Sequence, residues 1–292
     1  MLVTLKELLK DAKRTPYAVG AINVPNLEAI RAVVEAAEEL NSPVILQHAE
    51  VHENLVRLEE IGPVMLDYAR RAKVPVAVHL DHGASFDMCV QAIRLGFTSI
   101  MYDASSKPYE VNLAETKEIV KIAHAAGVSV EAELGHIFTS AVGGGEGRGS
   151  DSSEDYDDLE DVYTDPDMAK AFVEETGVDC LAIGFGTVHG IYLKEPKLDL
   201  DRILQIKNKI DIPFVMHGGS GVSEADYKTA IRNGICKINY YTYMNKAGGK
   251  GVIECLKKMI AGETVFFDEL SLAATAEMKK NVKEAMKIFM NP

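Results

Sequence analysis

A single (β/α)8 barrel is the fold this 292-residue sequence predicts, and three observations carry the prediction. Eight short apolar runs recur along the chain, amphipathic segments with helix start and stop signals separate them, and one long polar segment breaks the rhythm after the fifth run. A single domain over residues 1–292 is expected, with an open doubly wound sheet as the competing architecture.

Thr4 and Glu7 are placed to cap a leading helix that would close the bottom of the barrel. AVGAINV from Ala18 reads as the first strand. Asn26 then precedes Leu27, Ile30, Val33, Val34 and Ala37, a stripe at three-to-four spacing. VILQHA from Val44, VPVAVHLDH from Val74, SIMYDA from Ser99 and SVEAELG from Ser129 supply strands two to five. Asp165-Pro166 opens a helix that Gly177 closes, with proline at its favoured first position. CLAIGFGT from Cys180 and PFVMHGG from Pro213 follow as strands six and seven. Ser223 with Asp226 resembles a capping box, Gly234 ends that helix, and CKINYYT from Cys236 is the eighth strand. Near-continuous apolar character is what strands covered on both faces require.

The interruption runs from His136 to about Asp165, too long and polar for an ordinary βα connection. Gly143, Gly144, Gly145, Gly147 and Gly149 supply hinges, and ten acids between Glu146 and Asp167 are opposed only by Arg148. Following a strand's C-terminal end, where barrel active sites are built, it reads as a lid rather than a surface insertion.

Composition narrows the function. A net charge of −13 argues against nucleic acid or an anionic membrane as partner. No apolar run approaches the roughly 20 residues that span a bilayer, and the N-terminus lacks the apolar core of a signal peptide. Cys89, Cys180, Cys236 and Cys255 show no CxxC spacing and read as buried thiols, so a reduced, cytoplasmic protein is expected.

Of the eight histidines, five have plain readings. His48 and His52 in HAEVH suit a metal or simply a polar loop, His124 a helix surface, His79 a hydrogen-bonded core position, and His136 either role. His82, His189 and His217 differ: in HLDHG, GTVHG and MHGGSG each ends a predicted strand and is followed at once by glycine. Three imidazoles on one rim match a catalytic zinc site, with three protein ligands and one position open. Asp81, Asp103 and Glu133 also lie at strand ends. Asp81 and His82 would point to opposite faces of a regular strand, so both serve one site only if the strand breaks there. Asp81 is then a proton carrier or a group orienting a ligand. GGSG at Gly218–Gly221 precedes a capped helix, the usual place of a barrel phosphate site.

HLDHG, SIMYDAS, EAELG, GTVHGIYLKEPKLD, MHGGSG and KIN together resemble, in order, the motifs of the class II fructose- and tagatose-bisphosphate aldolases, from about Leu5 to Asn239. The resemblance implies zinc held by His82, His189 and His217, with Asp103 and Glu133 where the metal rests in alternative arrangements. It implies Asp81 as the acid/base serving the aldehyde oxygen. Gly190, Gly218, Gly219 and Ser220 would surround dihydroxyacetone phosphate and a monovalent cation (Na+ or K+), with Asn239, Tyr240, Tyr241 and Thr242 as further substrate contacts. Glu146 is the candidate lid acid, although the family shows an acid pair after its glycines and here Gly147 follows. A homodimer or homotetramer is implied.

The implied chemistry accounts for these residue types. Breaking the C3–C4 bond of a phosphorylated ketose leaves an enediolate, which zinc stabilises as a Lewis acid, while a carboxylate takes the C4 hydroxyl proton. A Schiff-base mechanism on Lys237, which the flanking Cys236 and Ile238 would let point outward, is one rival. A metal-dependent barrel hydrolase and a non-catalytic sugar-phosphate-binding barrel are the others. The chain departs from the family at Tyr240-Tyr241-Thr242-Tyr243-Met244-Asn245, where aromatic groups replace polar ones. It also has Phe266-Phe267-Asp268 where relatives often carry Pro-Arg, and no Arg after Arg232, leaving Lys246 or Lys250 for a distal phosphate.

Overall fold

The computed structural model describes residues 1–140, 142–143, 163–260 and 262–290. Eight parallel strands close into a barrel: β1 (Val19–Asn23), β2 (Val44–Ala49), β3 (Val76–Gly83), β4 (Ser99–Tyr102), β5 (Ser129–Leu134), β7 (Cys180–Ile183), β9 (Phe214–Met216) and β10 (Ile235–Tyr240). Closure is the pairing of β1 with β10, Val19 opposite Lys237 and Ala21 opposite Asn239, which rules out the open sheet. The eight strands are those the apolar runs predict. Two short strands stand apart, β6 (Phe138–Thr139) and β8 (Val188–His189), paired in parallel above the barrel.

Alternation along each strand sorts the side chains into two layers. On β5, Val130, Ala132 and Leu134 join the apolar layer under the helices, whereas Glu131 and Glu133 point into the barrel. Helix α1 (Leu5–Arg14) starts at Thr4, whose hydroxyl accepts the Glu7 N–H while Glu7 takes the Thr4 N–H. Its Leu5, Leu8, Leu9 and Ala12 pack on Val19, Ala21, Ile45, Ala77, Cys180, Ala182 and Val215. This end of the barrel is therefore an apolar plug, and the buried charged side chains Asp81, Asp103, Glu131, Glu133 and Lys237 stand in the middle and C-terminal parts of the barrel.

Two long helices complete the outer ring, α9 (Thr242–Ile260) and α10 (Phe267–Met290). α10 is tied to α2 (Leu27–Leu40) by Lys279 with Glu35 and Glu39, at 3.1 and 2.6 Å, and by Lys283 with Glu39 at 2.5 Å. All four cysteines are buried and unbridged, and burial pushes the Cys89 thiol up to about 12. Among the described residues no helix is long and apolar enough to cross a membrane.

The long segment after β5 is anchored further in than the sequence predicts. Phe138 and Thr139 form β6 beside β8, the Ser140 N–H donates to the His189 carbonyl at 2.8 Å, and Thr164 bonds both Leu134 and Gly184. Residues 138–140 and 164 thus tie both ends of the segment to the barrel rim. The acidic stretch between them, with Glu146, lies outside the described residues.

Candidate functional site

β3 delivers two adjacent side chains to one cavity by breaking its own alternation. Its pairing with β4 runs His79 to Ser99 and Leu80 to Ile100, then slips so that Gly83 meets Tyr102. The extra residue in β3 is a bulge. His82 sits in it at φ 45°, a left-handed conformation costing a non-glycine residue roughly 1–2 kcal/mol. Gly83 follows because a Cβ there would lie 2.7 Å from the Met101 carbonyl oxygen. This is the break that Asp81 and His82 require to share a site.

His189 and His217 arrive from loops packed backbone to backbone. Gly218, at φ 62°, lies so close to β8 that a Cβ would stand 2.5 Å from the Val188 carbonyl carbon. Tyr192 clamps the two loops: its hydroxyl accepts the Val188 N–H at 3.1 Å and donates to the Gly218 carbonyl at 2.8 Å. The ring of His82 comes to 4.6 Å from that of His217 and 5.0 Å from that of His189. All three are buried, and a donor atom from each lies within 4.8 Å of the others.

The hydrogen bonds decide which nitrogens are offered. His82 Nδ1 pairs with Asp103 Oδ2 at 2.8 Å, leaving Nε2 toward the centre. His217 Nε2 pairs with Glu131 Oε1 at 2.9 Å, leaving Nδ1. Among the described residues His82 Nε2 and both nitrogens of His189 have no hydrogen-bond partner, and His217 Nδ1 faces only the Glu133 carboxylate, 3.1 Å away. Buried polar atoms are rarely left so. Carboxylates behind imidazoles are the arrangement by which proteins orient histidine ligands.

Charge supports the same reading. Asp81, Asp103, Glu131 and Glu133 are all buried, and Lys237, paired with Glu131, is the one buried ammonium among the described residues. Burial disfavours a charged His217, yet the Glu131 bond and the Glu133 carboxylate, 3.1 Å from Nδ1, outweigh it and hold its pKa at about 10. His189, held low by burial and then by its two histidine neighbours, stays neutral. Four buried carboxylates beside converging imidazoles fit a divalent cation, which would take the place of the proton that Glu131 and Glu133 favour on His217. His82, Asp103 and Glu133 make a second group whose donor atoms lie within 4.8 Å of one another.

Asp81 lies beside this cluster, fully buried, in a cradle of amides. Asn23 and Gln47 donate to its Oδ2 at 3.0 and 3.1 Å, and Asn239 donates to its Oδ1 at 2.9 Å. Burial pushes the carboxyl up, but the charges of His82, Lys237, His217 and His79 win and hold it at about 2. It is therefore held as the carboxylate.

The other predicted residues divide. Gly219 donates its N–H to the Asn239 carbonyl at 3.2 Å, and Ser220 Oγ accepts the Tyr241 N–H at 3.2 Å, joining the loop after β9 to the end of β10. Gly190 turns the chain after His189 at φ 93°, and Thr242 Oγ1 donates to the Gly143 carbonyl at 2.9 Å. Tyr241 packs on the buried His52, ring centroids 5.0 Å apart. Tyr240 is a correction: it faces outward, its hydroxyl on Asn281 Oδ1 and its ring near Phe289, because alternation along β10 sends it opposite to Asn239.

Lys237 is another correction. It points inward, ion-paired with Glu131 at 2.9 Å, and a buried ammonium so bound is not the neutral amine a Schiff base needs. His79 is a core residue bonded to Ser99, His124 a surface residue bonded to Asp179, and His48 is buried against Glu53. His136 packs edge-on against Phe138. Sequence reasoning missed Glu131, Asn23, Gln47 and Tyr192. Only Glu131 left a signal, two residues before Glu133 and so on the same strand face.

Comparison with known proteins agrees with this geometry. The family model described as "Fructose-bisphosphate aldolase class-II" matches residues 3–291. The probable fructose-bisphosphate aldolase of Bacillus subtilis (strain 168) is 42% identical over 260 residues, covering 87% of this chain and 86% of the relative. The fructose-bisphosphate aldolase of Staphylococcus aureus (strain Mu50) is 40% identical over 294 residues, covering 99% and 97%. Among solved structures, the YdjI aldolase from Escherichia coli K12 superposes with a TM-score of 0.85 at 34% identity, over 99% of this chain and 97% of that one.

Proposed function

The chain belongs to the class II fructose-bisphosphate aldolase family, and on that premise we propose that it is a zinc-dependent ketose-bisphosphate aldolase. The reaction is reversible cleavage of a ketose 1,6-bisphosphate, of fructose or tagatose type, to dihydroxyacetone phosphate and an aldehyde. The single observation that carries this reading is the convergence of three buried imidazoles, two of them anchored from behind by carboxylates, beside a carboxylate cradled by three amides.

His82 through Nε2, His217 through Nδ1 and His189 would hold the zinc, which when bound supplies Lewis-acid stabilisation of enediolate charge. Asp81 takes the C4 hydroxyl proton in cleavage and returns it in synthesis. Its amide donors keep it aimed and the neighbouring charges keep it ionised, so no side-chain reorganisation is needed as the bond breaks. Gly218 and Ser220, ahead of the helix from Glu224 to Asn233, would offer backbone N–H groups to the triose phosphate, while Gly219, whose N–H is taken by the Asn239 carbonyl, would let the loop lie close to it. The testing experiment is a cleavage assay on a panel of ketose phosphates, with and without added zinc. Turnover that requires zinc supports the proposal; no cleavage of any of them by zinc-loaded protein overturns it.

The distal phosphate is expected to matter little. Lys246 holds its ammonium over the Tyr243 ring at 5.6 Å, and Phe266 and Phe267 are 63% and 82% exposed where relatives often carry a Pro-Arg pair. Arg binds phosphate through a planar bidentate fork, whereas Lys supplies a point charge. A ketose 1-phosphate should be cleaved within about tenfold in kcat/KM of the bisphosphate, or about 1.4 kcal/mol of transition-state binding. A thousandfold loss would reveal a strong distal site.

Glu146 remains the proposed acid for exchanging the triose-phosphate proton. Glu146→Gln is expected to slow solvent exchange at that carbon more than it weakens binding. Unchanged exchange, read by loss of isotope label, would transfer the role to another acid such as Asp151 or Glu154.

A further inference from the structure

We propose that Lys237 is a positioning residue: its ammonium sets which way the Asn239 amide faces, and so what surrounds the Asp81 oxygen that carries the proton. The inference rests on the function proposed above.

Lys237 is completely buried inside the barrel. Its Nζ lies 2.9 Å from Glu131 Oε2, 3.1 Å from Glu131 Oε1 and 2.7 Å from Asn239 Oδ1. An ammonium has three donors and no acceptor, so these three oxygens use it fully. Asn239 must therefore turn Oδ1 toward Lys237, which leaves Nδ2 for Asp81 Oδ1 at 2.9 Å. A flipped amide would set NH2 against the ammonium and a carbonyl against the carboxylate, replacing two hydrogen bonds by two repulsions.

This orientation matters because the two oxygens of Asp81 are unequal. Oδ2 accepts from both Asn23 and Gln47, while Oδ1 accepts from Asn239. Each carboxylate oxygen offers about two lone-pair directions, so Oδ1 is the oxygen with room for the substrate proton. Asn239 sits at that oxygen, and Lys237 holds Asn239. The same ammonium is braced by Glu131, which also anchors His217 Nε2 at 2.9 Å. One chain of contacts, from His217 through Glu131, Lys237 and Asn239 to Asp81, joins the metal-binding imidazole to the proton carrier. Buried ion pairs are weak sources of stability, so this one is better explained by the geometry it imposes.

Lys237→Met alone would strand the buried Glu131 charge and endanger folding. The decisive variant is therefore Lys237→Met with Glu131→Gln, neutral overall, whose Gln carbonyl still accepts from His217. Glu131→Gln alone is its control. The double variant should keep its circular dichroism and zinc content while kcat falls roughly 10- to 100-fold relative to the control, with KM little changed. Adding the same pair to Asn239→Ala should cost nothing further, since coupled residues are not additive. Independently of turnover, the Asn239 side-chain amide resonances should shift when Lys237 is removed. Unchanged kcat, additive losses or unmoved amide resonances would overturn the proposal. If the wild type cleaves no ketose phosphate, the proposed function fails, and the amide resonances alone decide the role of Lys237.

Discussion

Asp81→Ala is expected to leave a folded protein that binds zinc stoichiometrically and has lost roughly two to four orders of magnitude in turnover, the usual worth of a general acid–base group. The structure explains why chemistry and metal binding should separate. Asp81 bonds to the amides of Asn23, Gln47 and Asn239 and to none of the three imidazoles. His82 is oriented instead by Asp103, and His217 by Glu131. Truncation strands three buried amide donors, at about 1–3 kcal/mol for each that water cannot reach, so a lower melting temperature should accompany the loss of turnover. Zinc content, melting temperature and kcat measured on one preparation test this together. A variant that folds but loses its metal would make Asp81 a support for His82 and not the proton carrier.

His189→Ala is expected to abolish activity by the other route. Of the three histidines it is the one with both ring nitrogens unpartnered among the described residues, so its place is justified by a ligand or by nothing. An open three-ligand site has no spare donor. Zinc affinity should fall by more than the roughly 10–100-fold that loss of a ligand's hydrogen-bond partner costs. Wild-type protein stripped by a chelator should be inactive and recover when zinc is returned. Competition with a chromophoric chelator measures the affinity directly. Full activity in a demonstrably metal-free preparation would remove zinc from the mechanism.

Several features were legible because they are periodic or carry local punctuation. The eight strands announce themselves as apolar runs between capped helices, and each is found where the sequence places it. The three strand-end histidines could be chosen from eight because each precedes a glycine. Two of those glycines have positive φ, Gly190 and Gly218, while Gly83 is required by the Met101 carbonyl. The sequence also stated the condition for Asp81 and His82 to act together, a broken strand, without revealing that a bulge supplies it.

What the sequence determined by itself was therefore the barrel, the rim on which chemistry stands, and the residue types converging there. Spacing along one strand and the glycines beside it are local, and local steric rules read them. Only the tertiary structure decided the direction of Lys237 and Tyr240, the cradle around Asp81, the anchoring of residues 138–140 and the nitrogens that His82 and His217 offer. These depend on register between strands far apart in the chain: Glu131 lies 106 positions from Lys237, and Asp81 lies 158 from Asn239. Barrel closure brings such pairs together, and no periodicity within a segment encodes which inward side chain will face which. A single-residue bulge in β3, unmarked by any turn motif, then reverses the direction of everything after it, and His82 is aimed by that reversal.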